Sequence, residues 1–545
     1  MQQYIPDLST PTSTNIDNII TGIKNGNKGL YEQALVNFLA KEHENFLIEE
    51  LNVPDKREQL WSALTTLTSL TEDNDVLAVV FTCFRIISRD KASVNRLVSE
   101  EWLDLIMLHT GLNDTLFDYS DDTLCKIEEG QKVLWNILFN SKEQVEAALE
   151  NGVLERILDR IRLYDTVHVP DSIKYYDLKI IFYLTAVSKT IRLKVESANG
   201  LSLLSTTLKV VLKESVSYSN VAPATLDDKK TDLACEALKA LFNITLNCHK
   251  VTDATKELVE ILRNYLLANP STLDKTWQLR NDVVNLLTNL PAPSYAKLLI
   301  PMTKGATLPK TLEFEGYNMI VIYEILMLLE AKFKDETAIG NQLEVYSPVL
   351  SVLVRGAKAV RAIRKYLRIH ILPPLIDMDK RPEETDTLRG HLCKLLTTPI
   401  TEVRDLAAEL LFVLCKCNVA RMVKYTGFGN AAGMFAQRGL LGVNKCEEEA
   451  NYSAEEDSDT EEYSEQKHLI NPVIGCVEKP HADPMAGMTD EQKEYETMKL
   501  VQLIDSLSKS GIIQPAKIGP DGKPHAVGHV LELQDGATGR SSDSD

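Results

Sequence analysis

No two cysteines of this chain stand at CxxC spacing. The nine cysteines, an odd number scattered between Cys83 and Cys476, offer neither a disulfide framework nor a zinc site, and point to a reducing compartment. Cys248 stands beside His249 without a second ligand pair, so it reads as a structural thiol. Long apolar runs are also missing. The most apolar stretch, "NMIVIYEILMLLEAK", is short and broken by Glu324, and "MQQYIPDLSTPTSTN" at the start has no basic or apolar signal region. No membrane span is expected, and a cytoplasmic location is. Positive charge is in deficit: the net charge of −19 speaks against nucleic acid, whose binding rests on Lys and Arg neutralising phosphates. GxxxxGK[ST], HExxH, GxSxG and kinase signatures are absent, so neither covalent catalysis nor nucleotide binding is expected, and no cofactor or metal. Glycine and proline are scarce while Leu and Ala abound, and apolar residues recur every three or four positions, which predicts an all-α chain.

What the chain does contain is a repeated amide pair. "KVLWNILFNS" holds Asn136 and Asn140, "EALKALFNITLN" holds Asn243 and Asn247, and "NDVVNLLTNLPAP" holds Asn285 and Asn289. Residues four apart share a helix face, so each segment reads as a helix buried on most sides with one amide stripe outward. Asn243 and Asn247 both recur 42 residues on, within the range of armadillo and HEAT units. Turn signals at Gly152, Gly200, Pro291 and Pro399 fall where such repeats turn. The expected fold is an armadillo/HEAT-like superhelical solenoid over residues 15–440, following a polar segment at 1–14. Its amide stripe would hydrogen-bond the backbone of a guest; alternatively, each Asn serves neighbouring repeats.

Basic residues cluster twice. Arg85 and Arg89 stand four apart, and Arg361, Arg364, Lys365 and Arg368 line about one helical face, suited to an acidic or C-terminal carboxylate ligand. Residues 446–466 hold ten acidic residues and no Lys or Arg, within an acidic linker expected to be disordered over 441–482. Ser453 and Ser458 each have Glu at +3, the pattern an acidophilic casein-type kinase reads. A C-terminal amphipathic helix is expected within 483–511, with Thr489 and Gln492 as a capping box, Gly511 as its stop and an apolar face of Met498, Val501, Ile504 and Leu507. Residues 512–545 read as a flexible tail.

"IISRDK" (86–91), "RDLAAELLFVLCK" with "VKYTGFGNAAGMFAQRGL" (404–440), "EDSDTEEY" (456–463), "INPVIG" (470–475) and "DPMAGMTDEQKEYETMKLVQLIDSLSKSGIIQP" (483–515) resemble the synembryn family, in that family's order. The resemblance implies a chaperone and non-receptor guanine nucleotide exchange factor that binds nucleotide-free heterotrimeric G-protein α subunits. It implies that the solenoid takes the C-terminal helix of Gα, that the post-solenoid helix contacts the nucleotide-binding domain, and that the protein reaches the cell cortex through Gα. It makes Arg85, Arg89, Arg364, Lys365 and Arg368 candidate contacts for the Gα tail, and Ser453 and Ser458 phosphorylation sites, Ser458 standing where the family is expected to have Thr. The alternatives are a non-catalytic scaffold and an armadillo transport adaptor. Adaptor grooves pair Trp with Asn four apart, a spacing found here only at Trp277 and Asn281.

Overall fold

Helices start where a short polar side chain can take up the first free amides, and the chain supplies these caps repeatedly. Asp73 accepts from the amides of Asp75 and Val76, Asp227 from that of Lys230, and Thr272 from that of Lys275. The computed structural model describes residues 15–113, 119–215, 223–302, 309–335, 339–441, 460–478, 485 and 487–528. They belong to two compact units, Met1–Pro291 and Ala292–Asp545, so the region expected as one solenoid is divided at Pro291.

In the first unit, five helices form a row in which each packs on the next: α1 (Asn74–Ile87), α2 (Asp121–Asn140), α3 (Asp171–Val187), α4 (Asp228–Ile244) and α5 (Leu273–Asn289). A second row backs it, one helix behind each: Lys56–Leu70, Glu100–His109, Val153–Ile161, Gly200–Lys213 and Asp253–Leu267. This two-layer repeat is the armadillo/HEAT arrangement. Helix α4 shows why the stack holds. Leu233, Ala234, Ala237, Leu238, Ala240 and Leu241 are fully buried; the alanines admit neighbouring helices closely, and each leucine contributes about 1.5–3 kcal/mol by leaving water. Asp232, Glu236, Lys239 and Asn243 occupy the remaining side. Between the rows lies a buried ionic knot. Asp177, fully buried, accepts from Arg160 Nε at 2.8 Å, Tyr164 Oη at 2.7 Å and Gln131 Nε2 at 2.8 Å.

In the second unit, α6 (Gln342–Ala359) packs on α8 (Thr401–Leu414), and α7 (Arg361–Ile371) packs on both. The described part of the acidic linker is ordered: a short helix, Glu461–Gln466, then an antiparallel hairpin of β1 (Ile470–Asn471) and β2 (Cys476–Val477). Its turn is fastened to the helix Phe428–Arg438 by the amides of Phe428 and Gly429, which donate to Pro472 O and Val473 O, both at 2.8 Å. Helix α9 (Asp490–Lys509) follows, with the expected capping box between Thr489 and Gln492. The tail expected to be flexible carries a second hairpin, β3 (Ala516–Ile518) with β4 (Pro524–Ala526). Leu441 N donates to Gly522 O at 3.2 Å, and Gly522 sits so close to Gly439 that a Cβ there would lie 1.9 Å from its carbonyl oxygen. Among the described residues no helix is long and apolar enough to cross a membrane.

Candidate partner-binding face

The side of the first row not covered by the second carries the amides, and the structure gives them work inside the stack. Asn136 Nδ2 donates to Arg85 O at 3.2 Å and Asn140 Nδ2 to Ser88 O at 2.8 Å, both near the end of α1. Asn243 Nδ2 reaches Phe182 O at 3.0 Å and Thr185 Oγ1 at 3.1 Å, near the end of α3; Asn289 Nδ2 reaches Phe242 O at 2.8 Å and Thr245 Oγ1 at 3.3 Å, near the end of α4. Tyr183 makes the same reach with its hydroxyl, to Phe139 O at 3.3 Å. Each amide therefore stitches the end of one first-row helix to its neighbour, and the expectation of an open amide stripe is corrected for Asn136, Asn140, Asn243 and Asn289.

The register is corrected as well. Helix α4 ends at Ile244, with Thr245 folding its hydroxyl back onto Leu241 O at 2.8 Å, so Asn247 lies exposed in the turn while Asn243 is 9% exposed. Helix α5 runs on to Asn289. The counterpart of Asn243 is thus Asn289, while Asn285, half-buried one turn earlier, makes no such bond among the described residues.

The basic residues are also engaged. Arg85 Nε donates to Glu129 Oε2 on α2 at 2.7 Å, and Lys132 Nζ reaches Glu129 Oε1 at 2.7 Å; burial resists the Glu129 charge, yet the Lys132 and Arg85 bonds hold its pKa below the usual range. Arg89 donates to Asn45 O and His43 O, both at 2.7 Å, and lies 5.0 Å over the Phe46 ring, so it pins the loop after the Lys28–Glu42 helix. In the second unit, Lys365 and exposed Arg361 both meet Glu315, at 2.9 and 3.5 Å, and Arg364 Nη1 donates to Ala357 O at 3.0 Å, near the end of α6. Lys365 and Arg368 line a cavity of about 480 Å³ with Phe314, Lys424, Tyr425 and Thr460. Thr460 Oγ1 donates to Leu375 O at 2.6 Å, and Lys424 Nζ lies 4.0 Å over the Tyr463 ring. Ser453 and Ser458 lie outside the described residues. On α9, Met498 is exposed and Val501, Ile504 and Leu507 are half-exposed, with no residue of this helix buried.

Between the amides runs a feature the amide and Arg readings overlooked. Trp135 stacks on Phe139, 5.6 Å between centroids, and Tyr183 meets both, at 5.3 and 5.5 Å. Lys179 Nζ stands over Trp135, Tyr175 and Tyr176 at 4.9, 5.3 and 5.7 Å, and Lys239 Nζ over Phe182 at 4.9 Å. Phe139 is 57% exposed, the others half-buried. Burial raises the pKa of Tyr175, Tyr176 and Tyr183, so all three hydroxyls remain donors at neutral pH. Such a stripe offers flat apolar area at low entropic cost, with cations fixed on ring faces. The signal was present in "KYYDLKIIFY", whose aromatics and Lys179 recur at helical spacing.

A family model described as "Guanine nucleotide exchange factor synembryn" matches residues 80–523. The chain is 39% identical over 483 residues to "Chaperone Ric-8A" of Gallus gallus, covering 85% of this chain and 86% of that one. It is 33% identical over 546 residues to "Chaperone Ric-8" of Drosophila pseudoobscura pseudoobscura, covering 92% and 94%. A solved structure from work on a phosphorylation switch between cadherin and beta-catenin aligns over 80% of this chain and 69% of that chain, with 11% identity and a TM-score of 0.44, too loose a likeness to bear on the fold. With the family model and full-length relatives in agreement, the chain belongs to the synembryn family of guanine nucleotide exchange factors.

Proposed function

We propose that this protein is a chaperone and guanine nucleotide exchange factor for heterotrimeric G-protein α subunits. The nucleotide-free subunit lays its C-terminal helix on the aromatic and cationic face of α2 to α4, and α9 meets the nucleotide-binding domain with its uncovered apolar side. The observation that carries the reading is the Trp135, Phe139 and Tyr183 cluster beside Lys179, left half-open in a member of this family. No covalent step is required. A factor that binds the nucleotide-free state more tightly than the GDP-bound one shifts the population toward release, and GTP then competes it away. The same grip on an incompletely folded client stabilises it by mass action.

Ser453 and Ser458 are read as substrates of an acidophilic casein-type kinase. Ser458 precedes Thr460 by two residues, and Thr460 lines the cavity that holds Lys365, Arg368 and Lys424, which supports docking of a phosphorylated linker on those cations. Location at the cell cortex would follow from Gα binding. The experiment is GDP release from purified Gα with and without the protein, followed by addition of GTP to the complex. Faster release and dissociation by GTP are expected; a complex that survives excess GTP contradicts the exchange mechanism.

A further inference from the structure

Most charges on the face of the first row are matched within it. Glu129 lies between Arg85 and Lys132, and Lys275 meets Asp232. Two carboxyls are in a different position. Glu236 on α4 is 6% exposed; its Oε1 takes Lys239 Nζ at 2.6 Å, while its Oε2 is buried without a hydrogen-bond partner among the described residues. Asp282 on α5 lies beside it. It is half-buried, and burial pushes its carboxyl up to about 6, with Glu236 adding to the rise and the neighbouring Cys235 and Lys239 opposing it. Two carboxyls thus stand near one lysine, which bonds only Glu236, the more deeply buried of the two.

Leaving a carboxylate oxygen buried and unbonded is costly. The fold gains no packing from it that an amide of the same shape would not supply. An incoming cation would relieve the cost, so the attraction is switched on by binding. The neighbourhood fits a basic side chain: Tyr175, close enough to feel the charges of Glu236 and Asp232, and Phe182 provide ring surface for a methylene stem. Lys179 and Lys239 already lie on ring faces of this stripe. A divalent ion suits the place less, since the described residues hold no group of three ligating side chains.

We propose that Glu236 and Asp282 form an acidic subsite that receives a lysine or arginine side chain of the segment bound on this face, an assignment that rests on the reading of the face as the client-binding one. The test uses the full chain and a purified nucleotide-free Gα. Glu236→Gln and Asp282→Asn, which keep shape and remove charge, are each expected to weaken binding about tenfold, as loss of a bond to a charged group does. Asp282→Asn should raise the melting temperature, while Glu236→Gln turns the Lys239 ion pair into a neutral hydrogen bond and should lower it only slightly. Replacing each Lys and Arg of the Gα C-terminal helix in turn by Gln should find one whose loss weakens binding to the wild type but adds nothing in the Glu236→Gln, Asp282→Asn double variant. Phe139→Ala and Tyr183→Ala separate the two readings. If these weaken binding while the carboxamide variants do not, or if no basic residue couples, the subsite is overturned and the face stands. If none of the four variants weakens binding, the face falls and the subsite with it. A drop in melting temperature that accounts for the lost binding also overturns the subsite.

Discussion

Asn243→Ala removes an amide that bonds Phe182 O at 3.0 Å and Thr185 Oγ1 at 3.1 Å from a position 9% exposed. Water cannot replace both bonds without opening the contact between α3 and α4. Thr185 Oγ1 also donates to Phe182 O, at 2.9 Å, so the stranded carbonyl keeps one partner and the loss stays within about 1–3 kcal/mol. For a unit of this size each kcal/mol lowers the melting temperature by about 2–4 °C. Calorimetry of the full chain should therefore show the first unit melting several degrees lower. Asn247→Ala, four residues on and exposed in the turn, should stay within about 0.5 kcal/mol of wild type. Asn289→Ala, which removes the equivalent bond to Phe242 O, should behave like Asn243→Ala. Equal melting temperatures for the Asn243 and Asn247 variants would refute the stitching role, as would loss of Gα binding by Asn243→Ala at unchanged stability.

Asp177→Ala leaves Arg160, 4% exposed, without its carboxylate and should cost about 3–5 kcal/mol, measured by urea unfolding, with much of this recovered when Arg160→Met is added. Gly522→Ala has no room beside Gly439 and a φ of 68°, so the β3 and β4 hairpin should undock, giving faster proteolysis within residues 510–528 while the first unit melts unchanged. Asp282 has a folded pKa near 6 against an ordinary 3.8, so the folded state holds the extra proton between these values and stability falls as pH rises from about 4 to about 6. Asp282→Asn escapes this fall: its advantage in melting temperature over wild type should grow across that window, level off above it, and not exceed about 3 kcal/mol at neutral pH.

Helix identity, the cap at Thr489 and the apolar face of α9 were legible because they depend on neighbours within one turn of chain, where side-chain chemistry and the 3.6-residue period act directly. The family was legible for a related reason, since its motifs are runs of consecutive residues. The employment of each polar side chain was not. Asn243 and Asn247 look alike in sequence, but one faces a carbonyl 61 residues earlier and the other faces solvent, because α4 ends between them. Arg85 meets a glutamate 44 residues away, and Lys179 of α3 stands over a tryptophan of α2. Even the raised pKa of Asp282 arises only because stacking α5 on α4 buries its carboxyl and brings it near Glu236. Local sequence determined which segments become helices and which of their sides are buried; only stacking those helices decided which donors meet which acceptors, because a hydrogen bond or ion pair is set by distances of a few ångströms between residues that the chain holds far apart.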